Sequence, residues 1–344
     1  MKILVVMKNW LGDLLFQMPA LDLIKARYPA ASIVCMAPER CREILEAHPA
    51  VSGFFSFDEK STHRSWFKRI AFIFELRKAG PWDAGYLFHR SRSRAVLLWL
   101  AGVRERTGYG KGRKIFLTKA VKEPAKSLHQ LDHFMALMKG AGYQIPPEPS
   151  YRFYFKPEDE TQAFAALKEK GVEKGARYVC FHLGANWEPK RWPVLYFSVL
   201  AEKIHEKWGI PVVVTGSRQD RPLFEEFING VGPSSKKGSA PVIVDLVGKT
   251  SLRVSSVIYK NAACLVTGDS GPMHIASGVG ARVVALFGPT DPNLTGPRGT
   301  GEHIVLQFVP PGYSVPFYGK DLPEDGWLSK IAPDQVFDAV ERLY

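Results

Sequence analysis

Val266-Thr267-Gly268-Asp269-Ser270-Gly271-Pro272-Met273-His274-Ile275-Ala276-Ser277 is the stretch from which the rest of the chain is read. The apolar run Ala262-Ala263-Cys264-Leu265-Val266 before it has the character of a buried strand, and Ile275, Ala276 and Val279 after it continue at helical spacing. The polar middle is therefore a strand-to-helix turn. Ser270 is expected as the N-cap and Pro272 in the first helical turn, where a missing N–H costs nothing. Gly268 and Gly271 lack Cβ atoms, so another group can approach the backbone closely. A helix N-terminus with unsatisfied amides and a positive dipole end can seat an anion such as a diphosphate. The same residues also fit an ordinary capped helix, and on these residues alone both readings stand.

The segments around this turn repeat its architecture. Upstream, Thr161–Lys170 is expected as a helix and Tyr178-Val179-Cys180-Phe181-His182 as a strand entering the loop of residues 183–193. A helix over Tyr196–Trp208, a strand over Pro211–Thr215 and a short strand over Val242–Leu246 follow. Downstream, Arg282–Phe287 is expected as the last strand, and Pro333–Leu343 as a C-terminal helix with Val336, Phe337, Val340 and Leu343 at helix spacing. Loops at the carboxyl ends of successive parallel strands converge on one crevice, and here they are rich in Gly, Ser, Thr, Lys and Asp. Gly248-Lys249-Thr250 is not a phosphate-binding P-loop, because that pattern needs glycine at 243 and Ile243 stands there.

The N-terminal half opens the same way. Lys2–Met7 reads as a buried parallel strand, Lys8–Asp13 as a loop, and Leu14 to Ile24 as a helix with Pro19 out of place inside it. Ser32–Met36 is the second strand, followed by a helix around Arg40–Ala47, and Val51–Phe57 is strand-like. This is the start of a doubly wound α/β domain. Its first loop has no G-x-G-x-x-G; one glycine, Gly12, is followed by an acid, Asp13, which would repel a pyrophosphate. The nucleotide is therefore expected in the second half. Pro146-Pro147-Glu148-Pro149 cannot be helix or central strand, so the domain linker is placed there. The expected organisation is residues 1–150, residues 151–330 and a C-terminal helix over 331–344.

The chain has 344 residues, 46% of them hydrophobic, and a net charge of +12. Two domains fit that length. Residues 60–114 are markedly basic, with interleaved aromatic side chains, and a polyanionic or membrane-bound ligand is expected on this half. Ser65–Phe74 fits an amphipathic segment docking at an interface. No zinc spacing, RNA-binding signature or long basic tail is present, so nucleic acid is not the expected partner. The apolar run Ile3–Met7 is too short for a signal-peptide core, no stretch has membrane-spanning length, and a cytoplasmic location is expected. Cys35, Cys41, Cys180 and Cys264 form no C-x-x-C pair and are expected as free buried thiols.

Together these pieces resemble glycosyltransferase family 9, the ADP-heptose:lipopolysaccharide heptosyltransferases of Gram-negative bacteria. The matching residues are Gly12-Asp13, Gly184 with Pro189-Lys190-Arg191-Trp192-Pro193, Gly216-Ser217, Thr267–His274 and Phe287-Gly288-Pro289-Thr290-Asp291-Pro292. They span nearly the whole chain in the family's order. The lysine-arginine-tryptophan-proline loop looks like the heptosyltransferase II branch. The resemblance implies a GT-B fold: two Rossmann-like domains with doubly wound parallel sheets facing a cleft, the first holding a lipid-linked acceptor and the second the sugar nucleotide. Much of the family has a cysteine-containing segment near the C-terminus. This chain has no cysteine after Cys264, so residues 312–327 take no role by analogy.

The resemblance further implies inverting transfer of heptose from ADP-heptose to the inner core of lipopolysaccharide, at the cytoplasmic surface of the inner membrane with peripheral attachment. Asp13 is implied as the catalytic base, and partial burial beside Trp10 and Leu11 would lift its pKa toward a useful value. Lys190 is the candidate counter-charge for the diphosphate, with Arg191 a second choice. Gly184, Ala185, Ser217, Asp220, Thr250, Asp269, Ser270, Gly271 and His274 are the further donor-site candidates, and Arg64, Arg90, Arg92 and Lys111 those for the acceptor. Trp187 and Trp192 are expected in packing. No D-x-D motif occurs, so no dedicated metal site or cofactor is expected beyond the donor substrate. Two other readings are a transferase using another nucleotide sugar and a sugar-nucleotide epimerase of the same fold.

Overall fold

The computed structural model describes residues 1–124, 127–232, 240–316 and 327–344. The chain divides into two compact units, Met1–Tyr154 and Phe155–Tyr344. The division falls just after the proline-rich segment, and the C-terminal helix belongs to the second unit.

The first unit alternates strand and helix: β1 (Lys2–Val6), α1 (Leu11–Leu15), α2 (Met18–Arg27), β2 (Ser32–Ala37), α3 (Arg42–Leu45), β3 (Val51–Ser56), α4 (Trp66–Ala79), β4 (Ala84–Leu87), α5 (Arg92–Leu100), β5 (Glu105–Tyr109), β6 (Lys119–Val121) and α6 (Gln130–Gly140). Its described strands form one parallel sheet in the order β3-β2-β1-β4-β5-β6. β1 runs between β2 and β4 and is almost wholly buried. That explains its unbroken apolar sequence, because a strand covered by helices on both faces has no solvent side on which to alternate. On one face Leu4 and Val6 pack with Phe72 and Leu76 of α4 and with Ala95, Leu97 and Leu98 of α5.

Three expectations for this unit are corrected. Pro19 does not interrupt one long helix; the chain breaks after α1, and Pro19 sits in the first turn of α2, where it needs no hydrogen-bond partner. Asp13 is not in a loop but in the first turn of α1. The helix expected around Arg40–Ala47 is a 3-10 turn over Glu39–Cys41 followed by the single turn α3.

The second unit comprises α7 (Pro157–Glu169), β7 (Val179–His182), α8 (Val194–Trp208), β8 (Val212–Gly216), α9 (Arg221–Gly230), β9 (Ile243–Val247), α10 (Leu252–Asn261), β10 (Leu265–Gly268), α11 (Gly271–Gly278), β11 (Val283–Phe287), α12 (Pro292–Thr295), β12 (His303–Gln307) and α13 (Pro333–Leu343). Its sheet has the order β12-β11-β10-β7-β8-β9, with every neighbouring pair parallel. Arg282–Phe287 is therefore not the last strand. β12 adds to the edge beyond β11; its apolar run Ile304-Val305-Leu306 is half-buried and its ends, His303 and Gln307, are exposed, as suits an edge strand. The helix α13 covers the core with Val336, Ala339, Val340 and Leu343, all buried against α8 and the sheet. Trp192 is buried too, its indole N–H donating to the Ile331 carbonyl (2.8 Å). All four cysteines are buried and free. Residues 317–326, within the segment that takes no role by analogy, lie outside the described residues.

Candidate functional site

In a doubly wound sheet the crevice opens where consecutive strands leave in opposite directions from the first. In the first unit that point lies between β1 and β4. The chain leaving β1 supplies Lys8, Asn9, Trp10 and Asp13, and the chain leaving β4 supplies His89. Together with Asp58, Glu59 and Lys60, which follow β3, they line a cavity of about 260 Å³.

The loop that carries Asp13 is held from beneath. Gln17, fully buried between α1 and α2, accepts from the Lys8 amide through Oε1 (3.0 Å) and donates through Nε2 to the Asp13 carbonyl (2.6 Å). Arg94, buried in α5, donates to the Met7 carbonyl (3.1 Å) and to Asn9 Oδ1 (3.0 Å), and its Nε faces Glu59 Oε2 at 3.4 Å. A buried guanidinium needs such partners, because an unpaired charge is costly out of water. Neither Gln17 nor Arg94 was singled out from the sequence. For Gln17 the available signal is a polar side chain within an apolar run; Arg94 closes the basic stretch Arg90–Arg94 and carries no such signal.

Burial raises the pKa of Asp13 above the ordinary carboxylate value, and the nearby Lys8 and Arg90 charges oppose the rise. The expected direction is therefore found, although Trp10 itself is exposed. His89 is also desolvated, and the Arg94, Lys8 and Arg113 charges act in the same direction, so its pKa falls to about 3. The imidazole is thus neutral at physiological pH, and its buried Nδ1 has no hydrogen-bond partner among the described residues. Of the four cations expected at the acceptor, Arg90 is the one brought within electrostatic reach of Asp13. Its guanidinium also approaches His133 Nδ1 (3.4 Å) and Glu123 (3.9 Å). Arg64, Arg92 and Lys111 are exposed and do not line the cavity.

In the second unit the corresponding point lies between β7 and β10. Lys190, in a 3-10 turn after β7, meets Asp269, the residue after β10. Its Nζ lies 2.6 Å from Asp269 Oδ2, which also accepts from the buried Thr290 Oγ1 (2.7 Å). Two expectations about this turn change. Ser270 occupies the N-cap position of α11 but does not cap it; its hydroxyl pairs instead with Thr267 Oγ1 (3.0 Å). The close approach that Gly268 permits is taken by the chain itself, since a Cβ there would lie 2.2 Å from the Lys190 carbonyl oxygen. The glycine thus lets the Lys190 turn rest on the end of β10. His274 is buried in α11.

The remaining donor-site candidates gather at the ends of β7, β8 and β9 on the same sheet edge. The Asp220 carboxylate accepts from the Ser217 amide and hydroxyl, both at 2.7 Å. It also fills the space beside Gly184, where a Cβ would lie 2.1 Å from Asp220 Oδ1. Arg191 turns away from Lys190 and donates to the Ala185 carbonyl (2.9 Å). Thr250 Oγ1 pairs with Ser255 Oγ (2.8 Å). His182, missed in the sequence, is buried beside this group, with Nδ1 3.2 Å from the Thr215 carbonyl. Desolvation lowers its pKa against the charge of Asp220. Among the described residues no group of three or more His, Cys, Asp or Glu side chains could hold a metal ion.

Comparison with known proteins places these observations. The profile of glycosyltransferase family 9 (heptosyltransferase) matches residues 70–310. The chain is 27% identical to lipopolysaccharide heptosyltransferase 2 of Escherichia coli K12, over 100% of this chain and 98% of that protein. The solved structure of Escherichia coli ADP-heptose lipopolysaccharide heptosyltransferase II superposes with a TM-score of 0.79 at 24% identity, covering 100% of this chain and 98% of that one. A family 9 glycosyltransferase from Veillonella parvula superposes with a TM-score of 0.86 at 22% identity, covering 99% and 96%. The fold is that of these structures, two Rossmann-like units of the GT-B type.

Proposed function

Because the chain belongs to glycosyltransferase family 9, we propose that it transfers a heptose from ADP-heptose to the inner core of lipopolysaccharide. The observation that carries this reading is the contrast between the two switch points. One offers a desolvated carboxylate, Asp13, beside a neutral imidazole; the other offers Lys190, tied to Asp269 at 2.6 Å, next to the start of α11. The first suits removal of a proton and the second suits a phosphorylated leaving group. Similarity over the whole chain to lipopolysaccharide heptosyltransferase 2 supports heptose transfer to lipopolysaccharide, and likeness to the ADP-heptose lipopolysaccharide heptosyltransferase II structure supports the donor.

In this mechanism Asp13 takes the proton of an acceptor hydroxyl, and that oxygen attacks the anomeric carbon of the donor. The bond from that carbon to the diphosphate oxygen breaks, its electron pair leaves with ADP, and the configuration inverts in a single displacement. The raised pKa makes Asp13 a stronger base than an ordinary carboxylate. Lys190 and the first-turn amides of α11 stabilise the departing diphosphate. Asp269 holds Lys190 in place before the donor arrives and keeps Thr290 as a partner when the lysine turns to phosphate. Gly184, Ala185, Ser217, Asp220, Thr250, Ser270, Gly271 and His274 shape the donor pocket. Arg90 is the cation of the first unit assigned to the acceptor, with Arg64, Arg92 and Lys111 further out. The reading calls for no cofactor beyond the donor.

A lipid-linked acceptor locates the reaction at the cytoplasmic surface of the inner membrane, with the enzyme attached peripherally. No helix among the described residues is long and apolar enough to cross a membrane. The test is incubation with ADP-heptose and truncated lipopolysaccharide acceptors, read by mass spectrometry. The product should gain one heptose. Conversion of the donor with no acceptor present would point to an epimerase, and equal use of UDP- or GDP-linked sugars would overturn the donor assignment.

A further inference from the structure

The helix α4 has two apolar faces, and the fold uses one of them. Phe72 and Leu76 are buried in the core of the first unit. On the other side Trp66 is 61%, Phe67 65% and Phe74 63% exposed, with Ile70 exposed between them. At 3.6 residues per turn these four side chains fall within roughly 100° of arc, opposite Phe72 and Leu76. Leaving such a row in water is unfavourable, and a contiguous exposed apolar strip marks an interaction surface. It is not a general feature of the chain: every exposed Trp and Phe among the described residues lies in the first unit. One of them, Trp99, is on α5, whose Leu97 and Leu98 belong to the same core cluster as Phe72 and Leu76.

The charges around the strip select its occupant. Arg77 and Lys78 are exposed in the last turn of α4, in or beside the same arc, and Arg64 is exposed just before its start. The helix has one acid, Glu75, which falls outside the arc. Two copies meeting through this face about a two-fold axis would bring like charges together. An anionic bilayer offers the opposite: acyl chains for the aromatic row and headgroup charge for the cations, with tryptophan at the boundary. We propose that the exposed face of α4 docks this protein on an anionic phospholipid bilayer. The inference deepens the reading of a lipid-linked acceptor and rests on it for its purpose. The N-terminal end of α4 follows Asp58–Lys60, which line the Asp13 cavity, so docking there brings the carboxyl edge of the first sheet to the membrane surface.

The experiment is co-sedimentation with vesicles of phosphatidylethanolamine and phosphatidylglycerol, against neutral phosphatidylcholine vesicles, without substrate. The protein should bind the anionic vesicles, and added salt should weaken the binding. The triple variant Trp66→Ser, Phe67→Ser, Phe74→Ser should partition about a hundredfold more weakly. Arg77→Glu with Lys78→Glu should weaken partitioning by about twenty-fivefold or more, from about fivefold per lost cation. Both variants should melt like the parent and keep its transfer rate on a deacylated, water-soluble acceptor while losing rate on acceptor embedded in vesicles. Undiminished vesicle binding by the triple variant would overturn the proposal. So would absence of vesicle binding with a concentration-dependent dimer that the triple variant abolishes. Vesicle binding as described, with no transfer to the soluble acceptor, would sustain the docking face and refute the enzymatic reading instead.

Discussion

In the first unit the strands lie in the order β3-β2-β1-β4-β5-β6, and in the second the same permutation recurs as β9-β8-β7-β10-β11-β12. Each therefore has its switch point beside its first strand. What fills that point differs. After β1 comes a short helix bearing Asp13, whose carboxyl is desolvated and shares its cavity with a neutral His89. After β7 comes a turn bearing Lys190, which reaches across to the residue following β10. One permutation thus carries a desolvated carboxylate at one switch point and a lysine–aspartate pair at the other. The backbone provides the opening, and the side chains on the first loop decide what can enter it.

The contrast can be broken from either side. The largest effect is expected for Asp13→Ala, which should lower kcat by about a thousandfold or more while ADP affinity, read by calorimetry, stays unchanged. Retention of most activity would remove the base assignment. Lys190→Ala should act at the opposite switch point, weakening ADP and lowering kcat/KM by about a hundredfold. If it changed acceptor KM alone, the division of labour between the units would be wrong.

Gly268→Ala tests the packing under Lys190. The new Cβ would meet a backbone oxygen at 2.2 Å, and backbone cannot yield as a flexible side chain can. The Lys190 turn should shift, with loss of ADP affinity of about tenfold and destabilisation of about 1–3 kcal/mol by thermal melting.

Smaller effects concern protons in the first unit. Transfer should fail as pH falls through the raised pKa of Asp13, at a higher pH than an ordinary carboxylate would set. The Arg90 charge lowers that pKa, so Arg90→Gln should move the acidic limb of the pH–rate profile further upward. An unchanged limb would separate Arg90 from the base. The smallest change is in stability. A carboxyl whose pKa is raised by folding favours its protonated form, so at neutral pH its ionised form works against the fold. Asp13→Asn should therefore melt slightly above the parent near pH 7. The gain should vanish as pH drops and Asp13 takes up its proton. Equal melting temperatures across that range would mean that burial of the carboxyl costs nothing.

The sequence by itself carried the architecture. The apolar run Ile3–Met7, bounded by polar loop residues, fits a strand covered on both faces, and the alternation of such runs with helical periodicity points to doubly wound sheets. The family motifs, read in order, identified both switch-point loops. Side-chain partnerships were decided by tertiary structure alone, because they join residues far apart in the chain. Lys190 and Asp269 are 79 positions apart, and Arg94 supports Met7 across 87. The same holds for the direction in which α4 faces. Its sequence is apolar on two sides, and only packing against the sheet settles which aromatic row becomes core and which is left in water.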